Sequence, residues 1–355
     1  MVGIGNGGAM TKTAKTGLIY FISTVLLLLN RTINSLYPLS DNWSGWLYSV
    51  TSQILIMFVL PMALYMIMIK KDGSLWNDVN ISPKKRLSPA IWGLAVVAVP
   101  LFIFLTRCIS VLWNGLLLPI IGFTSVSGVG TIYSEPSVLV MELLTGALLP
   151  GFCEEFFNRG LLNMGIWDTK DDKTRAIIIG VVFGLFHMNI QQFGYAVFGG
   201  FVLGFLFVKT KNIWIGVILH VANNAWNTIC DYADQKQLAL GALYNKVWDF
   251  MTSSVIVLLV LTVVAAMALA SVIALIGRMA DKTPERLGKE IPDTAAEPTE
   301  KSFAEVVFGF VKQSPAEENK AATVKAKFYE YGFLIAALVV MAVATLATFI
   351  WGLVR

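Results

Sequence analysis

Long apolar runs alternate with short polar stretches along most of the chain. About 20 consecutive apolar residues form a helix long enough to cross a bilayer. The stretch 113–135 fits a helix extension, a re-entrant segment or a loop, so eight spans suit the pattern as well as nine. The predicted fold class is therefore all-α, a polytopic transmembrane helix bundle. The nine predicted spans are 17–36, 47–69, 89–112, 136–162, 175–191, 193–209, 213–231, 251–277 and 331–354.

The amino-acid composition excludes most classes of soluble protein. Hydrophobic residues make up 56% of the 355 residues and charged residues 14%, against roughly 25% charged in a soluble domain. Moreover, 19 of the 50 charged side chains lie between Arg278 and Glu330. The rest are too few to cover a surface in water, which excludes a soluble enzyme and a nucleic-acid-binding protein. The three cysteines are far apart and form no C-x-x-C motif, so no disulfide scaffold is indicated.

The charged segment divides the chain into three parts. Residues 1–278 are predicted to form a polytopic membrane domain, and 329–355 a C-terminal transmembrane helix. Between them, 279–328 is rich in Glu, Lys, Pro and Ala, which predicts a mostly disordered linker. One island at 301–312 has apolar residues spaced i, i+3, i+4 and i+7, which predicts a short amphipathic helix that lies on the membrane or binds a partner. These residues are Phe303, Val306, Val307 and Phe310.

Basic residues predict the orientation, because cytoplasmic loops are enriched in Lys and Arg. The first apolar run follows Lys12 and Lys15 and has no small-residue cleavage site after it, so it is predicted to be an uncleaved anchor. The N-terminus and the linker are then cytoplasmic, in an integral protein of the cell membrane. On that side lie Lys70, Lys71, Lys84, Lys85, Arg86, Lys170, Lys173, Arg175, Lys209, Lys211 and Arg278, and on the other Arg31, Lys236, Lys246 and Arg355, with Arg107 near that boundary.

Three predicted spans contain polar groups that a membrane helix normally avoids. An ionisable side chain there costs roughly 2.5–3.5 kcal/mol, so it usually faces a cavity and has a function. The chain has two histidines, and both belong to this set. The residues are Glu154, Glu155 and Arg159 in one span, His187 in the next, and His220 and Asn224 in a third.

Helix geometry sorts these residues into roles. Glu155 and Arg159 are four residues apart and share a helix face, so they are predicted to form an ion pair. Glu154 then points elsewhere as an unpaired carboxylate, which suits a general base. His220 and Asn224 also share a face, and two neutral donors side by side suit an oxyanion. Pro150-Gly151 is expected to kink or break the helix and admit water.

These residues, in this order, resemble the CPBP family, which includes the type II CAAX prenyl endopeptidases and bacterial proteins linked to bacteriocin processing and self-immunity. The family pattern is E-E-x-x-x-R, then F-x-x-x-H, then H-x-x-x-N. Here it reads Glu154-Glu155-x-x-x-Arg159, Phe183-x-x-x-His187 and His220-x-x-x-Asn224. The resemblance covers about 130–231.

The resemblance implies an intramembrane endopeptidase with a site open toward the cytoplasm. It assigns Glu154 and His187 to activating a water, and His220 and Asn224 to stabilising the oxyanion. Arg159 would hold the acidic pair Glu154–Glu155 in place. The substrate would be a membrane-associated peptide or protein, prenylated or not.

Metal dependence and two other functions stay open at this point. Glu154, His187 and His220 could supply three ligands to a divalent metal such as zinc, yet no H-E-x-x-H motif is present, and a metal-free reaction is preferred. The alternative from another class is a non-catalytic immunity or scaffold protein that retains the motifs. A proton-coupled transporter is the third candidate, although no inverted repeat is visible.

Overall fold

The computed structural model describes residues 10–37, 42–69, 75–83, 85–125, 130–166, 171–284 and 328–354. Within these residues the chain forms eleven helices and no strand. They are α1 Lys12–Leu36, α2 Asn42–Met68, α3 Leu75–Asp78, α4 Pro89–Ile120, α5 Pro136–Gly165, α6 Asp172–Phe186, α7 Ile190–Thr210, α8 Ile213–Gln235, α9 Ala239–Thr252, α10 Val255–Asp281 and α11 Gly332–Leu353.

Each predicted span is largely helical, and the all-helical transmembrane bundle is confirmed. Among the described residues seven helices are long and apolar enough to cross a membrane: α1, α2, α4, α5, α7, α10 and α11 with the turn before it. The other two predicted spans are α6, which has only 15 residues, and the more polar α8. The ambiguous stretch 113–135 begins as an extension of α4, and its described residues after Ile120, 121–125 and 130–135, are not part of a helix.

Two boundaries differ from the prediction. The span expected at 251–277 begins at Val255 and not at 251, because residues 251 and 252 are the end of α9. Helix α9 is amphipathic and too short to cross a membrane, which fits a helix lying at the interface. Helix α10 continues to Asp281, so the linker begins later than residue 279. The predicted amphipathic helix at 301–312 lies outside the described residues.

The helices alternate in direction, so the bundle has two ends. At the end that we call the basic end, Lys12 lies 3.7 Å from Asp78, and the Lys85 Nζ donates to the Ala280 carbonyl at 2.9 Å. At the opposite end, Gln235 of α8 donates to the Thr131 carbonyl before α5 at 2.8 Å. Each contact joins helix ends that alternation places on the same side.

Prolines modify three long helices without ending them. A proline cannot donate to the carbonyl four residues earlier, and its ring clashes with it. Just before Pro61, Pro119 and Pro150 the backbone adopts π-helical turns, over Thr51–Val59, Trp113–Leu117 and Leu143–Leu148. The expected kink at Pro150-Gly151 is therefore a local change of helix winding, and α5 continues through the two glutamates.

Glycines bring the elements around the site into close contact. A Cβ added at Gly180 of α6 would come within 2.9 Å of the Phe201 backbone nitrogen of α7. One added at Gly200 would lie 3.0 Å from the Gly180 carbonyl. The small residues therefore let the α6 and α7 backbones approach, as such residues do in membrane bundles.

Candidate active site

A buried cluster joins α5 to α8. The Arg159 Nη1 donates to Glu155 Oε1 at 2.9 Å, so the predicted ion pair is present. The His220 Nδ1 lies 3.0 Å from the same oxygen. Glu155 and Arg159 are fully buried, and His220 is 7% exposed. A buried charge is tolerated when it is paired and hydrogen-bonded, and Glu155 here has two such partners.

Arg159 links this cluster to the two glycine-packed helices. Its Nη2 donates to the Gly200 carbonyl of α7 at 3.2 Å. Its guanidinium carbon lies 4.2 Å from the ring centroid of Phe183 on α6, in cation–π geometry. One side chain of α5 therefore contacts both α6 and α7, and it reaches α8 only through Glu155.

Glu154 points away from Glu155, as helix geometry predicts. Its Oε1 accepts a hydrogen bond from Gln53 Nε2 of α2 at 3.0 Å. Its Oε2 has no hydrogen-bond partner among the described residues, although it is buried, and lies 4.0 Å from His220 Nε2. An unpartnered buried carboxylate oxygen is costly, so this atom is where the site is prepared to receive a hydrogen-bond donor.

Gln53 was not predicted as a site residue. A signal was present, because an amide in the middle of an apolar span must find a polar partner. The partner itself lies 101 positions away along the chain, and no local pattern connects the two.

His187 lies at the C-terminal end of α6 and has an environment of its own. Its Nδ1 is 2.8 Å from the Phe183 carbonyl. A carbonyl only accepts, so Nδ1 carries the proton and the neutral ring leaves Nε2 as an acceptor. Within the described part of the chain, the ring's hydrogen bond goes to Phe183 and not to Glu154.

Three other elements hold the turn that follows His187. The Arg31 guanidinium of α1 donates to the His187 carbonyl. The Trp113 Nε1 of α4 donates to the Ile190 carbonyl at 2.7 Å, and the Ile190 N–H donates to Thr348 Oγ1 of α11 at 2.9 Å. Met188 between them has φ 47°, in the left-handed region that a side chain rarely adopts. Contacts from α1, α4 and α11 therefore hold this turn in place.

Asn224 lies one helical turn after His220, as predicted, and is part of a short polar chain. Its Oδ1 accepts from Asn223 Nδ2 at 3.3 Å. Asn223 Oδ1 accepts in turn from Thr106 Oγ1 of α4 at 2.7 Å. The bond from Asn223 engages the carbonyl oxygen of Asn224, so its Nδ2 is a separate donor.

All four predicted catalytic residues line one cavity of about 1280 Å³. Its walls also carry Gln53, Tyr195 and many amides and hydroxyls. Glu154 and His220 lie in its buried part, whereas Ser35 and Asp231 at its mouth are exposed. The structure therefore brings the polar residues of three predicted spans to a single space.

The three candidate metal ligands fit a metal poorly in this arrangement. The closest oxygen–nitrogen pair, Glu154 Oε2 and His220 Nε2, is 4.0 Å apart, and the His187 Nδ1 is directed to a backbone carbonyl. Within the described ranges no group of three His, Cys, Asp or Glu residues is placed to hold a metal ion.

Comparison with known proteins agrees with the motifs. Residues 136–226 match the family model described as Type II CAAX prenyl endopeptidase Rce1-like. Over 123 residues the chain is 23% identical to a Bacillus subtilis (strain 168) protein named "Putative membrane peptidase YdiL". That alignment covers 32% of this chain and 49% of the other protein, so the chain spans about half the length of the curated relative it matches. No solved structure matches the chain at a comparable level.

The segment matched by the family model contains all three motifs, from Glu154 to Asn224. The helices around it are those of an integral membrane protein. In this segment the chain is similar to the CPBP family, in agreement with its motifs.

Proposed function

We propose that the protein is an intramembrane endopeptidase that hydrolyses a peptide bond with a water activated by Glu154. The observation that carries the proposal is the Glu154 Oε2 atom, which is buried, lines the cavity and has no partner among the described residues. A general base must lie within hydrogen-bond reach of the proton that it removes. A water beside Oε2 would satisfy that atom and lie in the cavity where a substrate carbonyl can enter.

The neighbouring residues suit the later steps. Glu154 takes a proton from the water, the resulting hydroxide attacks the scissile carbonyl, and the carbonyl oxygen becomes an oxyanion. The Asn224 amide and the His220 Nε2–H stabilise that oxyanion. The proton on Glu154 then passes to the leaving amine as the C–N bond breaks. His187, with Nε2 as an acceptor, helps to orient the water.

This role for His220 requires a ring with both nitrogens protonated, because Nδ1 already faces Glu155. The local charges accommodate that state. Two carboxylates, Glu154 and Glu155, face one guanidinium, Arg159, which leaves one uncompensated negative charge. A second positive charge at His220 during the reaction would balance that charge.

The test compares new protein N-termini in cells that express the wild type, Glu154→Gln or Glu135→Gln at equal abundance. Glu154→Gln keeps the side-chain size and an acceptor for Gln53 but removes the base. Loss of a general base costs roughly 10²–10⁴-fold in rate. Glu135 is an exposed carboxylate just before α5, so its amide controls for the substitution itself.

We expect a reproducible set of N-termini that is lost in Glu154→Gln and kept in Glu135→Gln. That set would also name the substrate. Identical sets in all three strains, at normal abundance of each protein, would refute the peptidase and favour a non-catalytic immunity or scaffold role.

A further inference from the structure

Within the described residues, the cavity opens at only one end of the bundle. Its exposed lining comes from the last turn of α1, the first turn of α2, the loop before α5 and the last turns of α8. Helix alternation places all four at the end opposite Lys12. Toward the basic end the lining is instead buried and apolar, at Met57 and Leu203.

The positions of His220 and Glu154 along their helices show how far the cavity reaches into the bundle. At about 1.5 Å per residue, His220 is roughly 10 Å of helix from the start of α8 at the basic end. Glu154 is roughly 16 Å from the end of α5 on that same side. Both therefore lie nearer the basic end of their helices than the opposite end, and the cavity leads from there to the opposite end.

Basic side chains distinguish the two ends strongly. Cytoplasmic ends of membrane helices are rich in Lys and Arg. Among the described residues ten lie at the basic end and four at the opposite end, the four including Arg107, which stacks over Trp248 of α9. The ten are Lys12, Lys15, Lys85, Arg86, Lys173, Arg175, Lys209, Lys211, Arg278 and Lys282, and the four are Arg31, Arg107, Lys236 and Lys246.

We infer that the cavity opens on the outer face of the membrane and takes a polypeptide segment presented there. The basic end is then cytoplasmic, as the sequence predicts. The expectation of a site open toward the cytoplasm is incompatible with that orientation, because the mouth and the basic end are on opposite sides. The statement about substrate rests on the proposed peptidase; the statement about the side does not.

The walls of the mouth favour a peptide over a lipid chain. A lipid or prenyl chain needs an apolar groove, whereas an extended peptide must replace the hydrogen bonds that its backbone makes with water. The mouth offers amides and hydroxyls together with charges of both signs. Representative residues are Arg31, Asn34, Ser35, Asn42, Glu142 and Asp231.

The loop before α5 gives the mouth a fixed polar rim. Tyr133 donates from its hydroxyl to the Thr228 carbonyl of α8 at 3.4 Å, and its N–H donates to Gln235 Oε1 at 3.3 Å. Burial raises the pKa of Tyr133 to about 12, so the hydroxyl remains a neutral donor at physiological pH. The rim is therefore tied to α8 on the side from which a peptide would enter.

The experiment measures which end is outside without using activity. Two variants of the full chain each carry one added cysteine, Ser35→Cys at the mouth or Lys282→Cys at the basic end. Both positions are exposed, and the wild type sets the background because Cys108, Cys153 and Cys230 are buried. Intact cells are treated with a membrane-impermeant maleimide before or after permeabilisation.

We expect Ser35→Cys to react in intact cells and Lys282→Cys to react only after permeabilisation. The reverse pattern overturns the inference about the side, whatever the protein catalyses. A second arm compares cleavage by Ser35→Cys before and after attachment of a bulky maleimide. Loss of cleavage on labelling supports entry through this mouth, and unchanged cleavage by fully labelled protein overturns it.

A third arm asks what is cleaved. New N-termini that depend on Glu154 should map to segments outside the cytoplasm, in secreted peptides or in outward loops of membrane proteins. Cytoplasmic sites would overturn the inferred substrate class while leaving the peptidase intact. An absence of Glu154-dependent termini would instead refute the peptidase and leave the labelling result standing.

Discussion

At the scale of single residues, hydrogen bonds give two adjacent glutamates different partners and therefore different roles. Glu155 is held at Oε1 by both Arg159 and His220, and it does not line the cavity. Glu154 is held at one oxygen by Gln53 and exposes the other to the cavity. The two residues are adjacent in the sequence, and their hydrogen-bond partners are what distinguish the two carboxylates.

Gln53 is therefore expected to be a positioning residue for the proposed base. Gln53→Met keeps the length of the side chain but removes the donor. A hydrogen bond to a charged group is worth about 1.5–3 kcal/mol, so kcat on a substrate identified by its N-termini should fall roughly tenfold to a hundredfold. KM should change little, because Gln53 reaches the carboxylate and not the bound peptide.

The control for Gln53→Met is its rescue by a conservative change. Gln53→His retains an N–H donor of similar reach, and it should recover part of kcat at equal abundance. Equal kcat for Gln53→Met and the wild type would show that Glu154 is positioned without this bond.

Local and distant contacts differ in how far the sequence could predict them. The Glu155–Arg159 pair is four residues apart, so the helix period alone predicts it. The bonds from His220 to Glu155 and from Gln53 to Glu154 span 65 and 101 residues. They depend on which helices pack together and in what rotation, and apolar periodicity does not determine either. The sequence therefore predicted the local pair and the residues that line the cavity, but not Gln53 or the contacts between helices.

At the scale of elements, Arg159 joins α5 to α6 and α7, and its partner Glu155 joins α5 to α8. Removing one partner of a buried ion pair strands the other, at a cost of about 3–5 kcal/mol. Arg159→Ala should thus lower the amount of folded protein in the membrane, whereas Glu154→Gln should leave it normal. Thermal unfolding and abundance in purified membranes measure this difference.

A double variant separates the stranded charge from lost packing. Arg159→Met with Glu155→Gln removes both charges and keeps most of the volume, so it should be more stable than Arg159→Met alone. If the double variant is as unstable as the single one, the cation–π contact with Phe183 and the bond to Gly200 matter more than the charge on Glu155.

Helix α11 lies outside the motifs, and it reaches the turn after His187 through Thr348. Thr348→Val keeps the side-chain shape and removes the acceptor for the Ile190 N–H. One hydrogen bond contributes about 0.5–1.5 kcal/mol, so we expect kcat to fall up to about tenfold at normal abundance. The matched control is Thr345→Val, whose hydroxyl bonds only to Met341 of its own helix; equal kcat in both variants would show that the turn is held without α11.

At the scale of the whole molecule, the sequence predicted the bundle well because hydrophobic length determines a membrane span almost alone. It failed where length is not decisive. Helix α9 is 14 residues long and amphipathic, so it is too short to cross a membrane and was not predicted as an element. The side on which the cavity opens also required the three-dimensional arrangement, since the polar residues that line its mouth come from four separate elements.

The packing of α11 leads to a prediction about the intact bundle. Helix α11 runs parallel to α1, and their backbones approach closely where Gly17 meets Leu334. Leu334, Ala337 and Met341 are buried against the bundle. Because this contact is extensive and Thr348 adds a bond near His187, α11 should stay bound when the chain is cut between residues 285 and 327 at an inserted protease site.

We expect the cut protein to copurify as two fragments in mild detergent and to retain cleavage activity. A variant that ends at residue 284 should be inserted in the membrane but have reduced kcat, because the His187 turn then lacks its Thr348 acceptor. Expression of residues 328–355 as a separate chain should restore part of that rate, and Thr348→Val in the separate chain should not. Full activity of the shortened variant would show that the site is complete without α11.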